Sequence, residues 1–290
     1  MIHKKLTDLN RRLIVSTISV CIIGILMSFS HHTAVQILLV LVMAGVVGVG
    51  VWEYGQIARA KSFDPALKAM ILVAVCELFA FFAAHKKVVF SEMPSIVLII
   101  GAIAFFLVHF KKQQEALAHI AIEFFGVCYI AVPLGFMLAI IYPISSSGQA
   151  WDGRWWLVYL IVVTKIADMG AYFIGRLWGK RKLAPVLSPK KTIEGAIAGF
   201  ICSVLMSIVM GLLGSQWAPD LFSLPLLEAV SLGMCIGIIG QVGDLAESLL
   251  KRDASIKDSN TLPGLGGILD MVDSLLLTAP IVYFYLRIQG

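Results

Sequence analysis

The chain reads as a succession of long apolar runs broken by short polar stretches. A bilayer core takes about 20 residues of apolar helix, so runs of that order can be counted directly. Nine fit, at about 13–30, 34–55, 67–85, 93–110, 117–145, 155–178, 192–214, 224–250 and 268–288. The fifth is long and contains Pro133 and Gly135, which leaves a tilted span, a kinked one or two spans all open. The pattern predicts an all-α fold, a polytopic integral membrane helical bundle of about nine transmembrane helices. No stretch remains for a soluble domain, so 1–290 is read as a single membrane domain. Within it, 1–150 is expected to be scaffold, lipid-facing or oligomer-contact helices, and 151–290 the catalytic helices and loops. The N-terminal MIHKKLTDLNRR before an apolar run resembles a secretory signal in outline, but no small-x-small cleavage site follows Ser28, Phe29 and Ser30, so a retained first span is expected.

Composition agrees. Hydrophobic residues make up 59% of the chain and charged ones 14%, whereas ordinary soluble domains carry roughly a quarter charged residues. Five cysteines, Cys21, Cys76, Cys128, Cys202 and Cys235, all fall in apolar runs without a CxxC pair, which argues against disulfide and zinc readings. The net charge of +5 sits in short loops, so no nucleic-acid partner is expected. With nine spans, 18 of the 23 lysines and arginines fall on the side of the N-terminus, four on the other, and Lys165 within a span. That asymmetry places the N-terminus and the two basic loops of interest in the cytoplasm. Trp151, Trp155 and Trp156 read as an interfacial aromatic belt on the opposite side.

Charges at membrane depth are costly and are functional candidates by default. Asp270 and Asp273 stand three apart at the start of the last run, on one face of a helix. Two such carboxylates in low dielectric repel unless a cation sits between them, and Mg2+ suits one or two carboxylates completed by substrate phosphates. For Asp270 alone, acids favoured by a helix N-terminus are an equal explanation. Asp244 and Glu247 repeat the spacing at a helix C-terminus, where acids oppose the dipole. Glu247 can also form an ordinary surface bridge to Lys251. Pro263, Gly264, Gly266 and Gly267 allow a sharp turn whose amides, with the N-terminus of the next helix, would form an anion nest.

The loop from Gly175 to Glu194 is the second centre. Ser188 followed by Pro189 reads as an N-cap with proline at the first helical position, which puts Lys190 and Lys191 in a first turn where bound phosphate would relieve their conflict with the dipole. For Arg176 to Lys182, membrane topology explains the charges equally well. Lys165 and Asp168 are either a structural pair or a second approach to the site. Glu53, Glu77, Glu123 and Glu228 are lone acids without a sequence partner and receive no role, and His31 and His32 are read as loop residues.

The ordered residues Ser248, Lys251, Arg252, Lys257, Asp258, Pro263, Gly266, Gly267, Asp270 and Asp273 resemble the signature of the phosphatidate cytidylyltransferase, or CDP-diacylglycerol synthase, family. The stretch DMGAYFIGRLWGKRKLAPVLSPKKTIEG, from Asp168 to Gly195, resembles that family's other recurrent block. In the signature a histidine precedes the Gly-Gly pair and an arginine follows the first aspartate, where this chain has Leu265 and Met271.

The resemblance implies nucleotidyl transfer from CTP to phosphatidate, giving CDP-diacylglycerol and pyrophosphate. It implies Asp244, Asp270 and Asp273 as metal ligands for Mg2+, with room for a second cation, and these three with Lys257 as the catalytic set. Lys190, Lys191, Lys251, Arg252 and Lys257 become phosphate contacts. Ser188, Ser248, Gly266 and Gly267 complete the substrate-binding set, and Asp258 either holds a second metal or orients Lys257. The expected partners are CTP, phosphatidate and membrane lipids, with a homodimer expected on base rate. The expected location is the bacterial inner (cytoplasmic) membrane.

Two other classes compete. A CDP-alcohol phosphotransferase would carry DGxxAR, which does not occur here. An ion-coupled transporter would use Lys165 and Asp168 as a relay, but such proteins commonly show paired halves with interrupted helices, and here the polar residues cluster at one end of the chain.

Overall fold

The computed structural model describes residues 28–110, 114–142, 153–217, 222–256 and 267–289. They form eight helices: α1 (Thr33–Ala60), α2 (Leu67–His85), α3 (Met93–His109), α4 (Ala116–Ile141), α5 (Gly153–Trp178), α6 (Ile193–Trp217), α7 (Leu226–Asp253) and α8 (Ile268–Gln289). Between α5 and α6 lies an antiparallel hairpin of β1 (Lys182–Ala184) and β2 (Ser188–Thr192). Seven of these helices are long and apolar enough to cross a membrane, and α3, at 17 residues, is shorter. The architecture is thus an all-α polytopic membrane bundle, with seven candidate spans among the described residues where the apolar runs predict nine. Eight of the nine runs appear as helices, and the first falls almost wholly outside the described residues. The fifth run is one helix that carries Pro133 internally and stops at Ile141, so it does not split.

The helices α1 to α4 are packed by large side chains. Val47, Val51, Met70, Leu78, Val127, Ile130 and Leu134 are all buried. Ring fits into groove where a glycine leaves space: Phe81 lies over Gly135 and Tyr54 over Gly126, where an added Cβ would stand about 2.5 Å from the ring.

The buried face of α6 is different, being Gly195, Gly199, Ser203, Ser207, Gly211 and Gly214, while Ile197, Ile201, Leu205, Val209 and Leu212 point outward. In lipid, tails are as apolar as leucine, so helices associate through close backbone approach and polar contacts rather than through hydrophobic burial. A Cβ at Gly195 would stand 2.6 Å from the Ala171 carbonyl oxygen on α5, and one at Gly199 2.8 Å from that of Ala167. On the other side, Ser203 Oγ donates to the Gly233 carbonyl of α7 at 2.7 Å and Ser207 Oγ to that of Ala229 at 2.5 Å.

α8 joins the two groups. Its Tyr283 stacks on Phe136 of α4 with ring centroids 4.5 Å apart, and its Asp273 carbonyl lies where a Cβ on Gly243 of α7 would come within 2.6 Å.

The hairpin overturns one reading of the sequence. Ser188 does not cap a helix, and Lys190 and Lys191 do not lie in a first turn, because Ser188–Thr192 is strand β2, paired to β1 through Ala184 and Lys182. Pro189 lacks an N–H, which an edge strand of a two-stranded ribbon tolerates. The cap is Thr192, whose Oγ1 accepts the Gly195 N–H at 3.2 Å.

Candidate functional site

Helix α5, the hairpin, the start of α6 and the far end of α7 enclose a cavity of about 660 Å3. Arg176, Lys182, Lys190 and Lys191 line it against Asp168 and Asp244, with Tyr172, Thr192 and Gln241 completing the polar wall. The glycines Gly175, Gly179 and Gly195 line it as well. At Gly179 a Cβ would meet the Gly175 carbonyl oxygen at 2.2 Å and Thr192 Oγ1 at 2.5 Å, so only glycine lets the end of α5 meet the hairpin this closely. The hairpin is fixed from both ends. Glu194 accepts the N–H groups of Lys180 and Arg181 at 3.1 and 3.2 Å, and Arg252 Nε donates to the Leu187 carbonyl at 3.1 Å.

Charges are matched across elements. Lys191 Nζ stands 2.7 Å from Asp244 Oδ2, linking β2 to α7. Lys165 Nζ reaches Asp168 Oδ2 at 3.3 Å and donates to the Met271 carbonyl and Ser274 Oγ of α8, each at 3.1 Å. Ser274 Oγ donates in turn to Asp168 Oδ2 at 3.0 Å. Lys251 is held between Glu247, at 2.8 Å, and Asp270. The expected Glu247–Lys251 bridge exists, but it is buried rather than on the surface, because α7 packs this turn against α8.

Asp273 is buried and accepts the Ser274 N–H at 2.6 Å. Among the described residues no lysine, arginine or histidine lies within ion-pairing distance of it, while Asp244, Lys165 and Asp168 are all near enough to act on it electrostatically. The three expected metal ligands are thus not equivalent: Asp270 is paired to Lys251, and Asp273 lies near Asp244, Lys165 and Asp168. Among the described residues no group of three or more His, Cys, Asp or Glu side chains is arranged to hold a metal ion unaided.

Of the expected site residues, Asp244, Lys190 and Lys191 line the cavity, whereas Ser188, Ser248, Lys251, Arg252, Gly267, Asp270 and Asp273 do not. Lys257, Asp258 and Gly266 lie outside the described residues. The anion nest expected before α8 is closed at its helix end, because Glu53 of α1 accepts the N–H groups of Ile268 and Leu269 at 3.0 and 2.8 Å. Arg176 and Lys182, which topology alone could explain, line the cavity, and the Lys165–Asp168 pair adjoins it. Two charges three apart inside a span are the sequence signal for that pair. Nothing in sequence links Glu53 to a helix 215 residues away.

The sequence model of the cytidylyltransferase family matches residues 10–289. The chain is 32% identical to the phosphatidate cytidylyltransferase of Chlamydia pneumoniae over 287 residues, covering 97% of this chain and 92% of that one. It is 34% identical to the phosphatidate cytidylyltransferase of Chlamydia trachomatis over 294 residues, with 97% and 94% covered. The phosphatidate cytidylyltransferase of Synechocystis is 33% identical over 291 residues, with 91% and 93% covered. With a family model spanning nearly its whole length and relatives matched from end to end, the chain belongs to the cytidylyltransferase family.

Proposed function

We propose that this chain is a phosphatidate cytidylyltransferase, converting CTP and phosphatidate to CDP-diacylglycerol and pyrophosphate. The observation that carries the proposal is the end-to-end match to enzymes of that name, with the Asp168–Gly195 block gathered around one cation-lined cavity. In the reaction a phosphate oxygen of phosphatidate bonds to the α-phosphorus of CTP while the bond from that phosphorus to the bridging oxygen breaks, and pyrophosphate leaves with the electron pair. A phosphate monoester is already an anionic nucleophile, so the protein has mainly to position two polyanions and offset their charge. Lys190, Lys191, Lys182 and Arg176 are placed to take the triphosphate, and Lys190 and Lys191 stand on a strand anchored at both ends.

A divalent cation suits the acids next to the cavity, of which Asp244 lines it and Asp273 does not. Among the described residues Asp273 is buried with no lysine, arginine or histidine in ion-pairing distance, near Asp244, Lys165 and Asp168, and one or two carboxylates completed by substrate phosphates is a typical Mg2+ environment. Asp244 and Asp273 would hold the ion, while Asp270 balances Lys251. When bound, the metal would offset charge on the phosphates and help orient them. In this assignment Asp244 would be shared with the ion, and Lys191, now 2.7 Å from it, would be available to phosphate. Lys165 holds Asp168 and the Met271 carbonyl, and so keeps the first turns of α8 facing α5. Given nine spans, the lysine and arginine distribution supports an orientation with this site in the cytoplasm, where CTP is found.

The test is purified protein in detergent with phosphatidate, Mg2+ and CTP labelled either at the α- or the γ-phosphorus. The α-label should appear in lipid and the γ-label in pyrophosphate. No labelled lipid with Mg2+, Mn2+ or Co2+ would overturn the proposal.

A further inference from the structure

Glu53 lies about two turns before the end of α1, yet its carboxylate is aimed at the last helix. It is 1% exposed. A buried carboxylate inside an apolar span persists only where strong donors meet it. Here Oε1 accepts the Ile268 N–H at 3.0 Å and Oε2 the Leu269 N–H at 2.8 Å, so both oxygens engage the opening amides of α8. Those amides need an acceptor, since the first four N–H groups of a helix have none within it. The residue before them, Gly267, has no side chain to supply one. A carboxylate at a helix N-terminus is favoured twice, by the hydrogen bonds and by the dipole.

The contact also governs two acids just beyond it. Asp270 is the residue after Leu269 and Asp273 lies one turn further, so at about 1.5 Å of rise per residue both carboxylates are fixed relative to the point that Glu53 grips. The same grip occupies the amides that a phosphate would otherwise take. Helix α8 thus offers acids, and the cations of the hairpin and the end of α5 are left to take phosphate.

We propose that Glu53 is a positioning residue for the transfer reaction, a buried cap supplied by α1 that sets where α8 begins and so where its aspartates stand. This role rests on the assigned reaction; the capping contact does not. Because placing a reacting group even about 1 Å out of line can cost on the order of a hundredfold in rate, loss of the cap should fall on turnover more than on nucleotide binding.

The experiment compares wild type, Glu53→Gln and Glu53→Ala in detergent. Amide hydrogen exchange is followed over 267–273 in metal-free protein, alongside thermal stability and, with substrates, kcat, KM for CTP and the Mg2+ concentration giving half-maximal rate. Expected in Glu53→Ala is exchange at Ile268 and Leu269 faster by about tenfold, from loss of one cap. With it should come a lower kcat, a raised Mg2+ requirement and little change in KM for CTP. Glu53→Gln keeps one acceptor oxygen and should fall between, and it carries the test alone if Glu53→Ala does not fold. Unchanged exchange over 267–273 would overturn the cap. Faster exchange with wild-type kcat and Mg2+ requirement, or a kcat loss matched by lost folded protein alone, would overturn the positioning role. An inactive wild type would instead remove the assigned reaction and leave the exchange result standing.

Discussion

In α1 to α4 the helices are spaced by large side chains such as Leu78, Val127 and Ile130, whereas α5 and α7 are drawn onto α6 along glycine and serine. The two groups also use buried charge differently. Glu123 of α4 is fully buried, and its Oε1 meets fixed partners, the Ala66 N–H at 2.7 Å and His109 Nε2 at 2.8 Å, while its Oε2 and the Oε2 of buried Glu77 on α2 have no hydrogen-bond partner among the described residues. Toward the cavity end of α5, α7 and α8, Asp168, Asp244, Glu247 and Asp270 are each paired to a lysine, and Asp273 has no such partner among the described residues. A lysine on a long stem can move between a carboxylate and a phosphate, while a backbone amide cannot. Under the proposed function, tight small-residue packing would belong with the part whose geometry must hold to a fraction of an ångström, and large-residue packing with a scaffold. Glu53 is the exception, since it comes from the first group and acts on the second.

The sharpest way to break this contrast is to neutralise one acid in each group. Asp273→Asn should lower turnover by about 10²–10³-fold, the scale seen when a charge-stabilising group is removed, with thermal stability kept or raised because a buried carboxylate beside Asp244 and Asp168 is gone. Wild-type turnover in that variant would detach Asp273 from the chemistry. Glu123→Gln should lower stability and leave kcat per folded molecule unchanged.

A smaller effect separates the two kinds of packing. Gly195→Leu drives a side chain into the Ala171 carbonyl and should cost about 1–3 kcal/mol of overpacking while lowering kcat, because α5 and the hairpin shift together. Leu78→Ala should cost about 2–5 kcal/mol by leaving a cavity, yet preserve kcat. Paired thermal melts and initial rates decide it, and equal kcat losses would erase the distinction. The least effect is expected where the groups meet at the surface. Lys61 and Asp253 are 2.6 Å apart but about half exposed, so Lys61→Ala should change stability by less than about 1 kcal/mol.

Much of this is legible in the chain. Long apolar runs give eight helices close to their boundaries, since length and composition decide membrane helices with little tertiary override. Lys190, Lys191 and Asp244 stand at one cavity. The hairpin is not legible, because Ser-Pro before lysines matches a helix start locally and only pairing with Lys182–Ala184 makes it a strand. The stripe from Gly195 to Gly211 at a spacing of four is readable on a helix only when its members are taken together, since each one singly is unremarkable in a membrane span. Division of Asp270 from Asp273 depends on which helix faces each, and no spacing rule carries that information.

The bare inner face of α6 also bears on how the molecule is handled. A surface of glycine and serine presents little that water would exclude, so the union of α6 with α5 and α7 depends on the medium around its outward isoleucines and leucines. As detergent is made shorter-chained and harsher, these contacts should part while α1 to α4 stay together. Activity would then disappear with circular dichroism almost unchanged, and an extract that looks folded could be an enzyme already taken apart at its cavity.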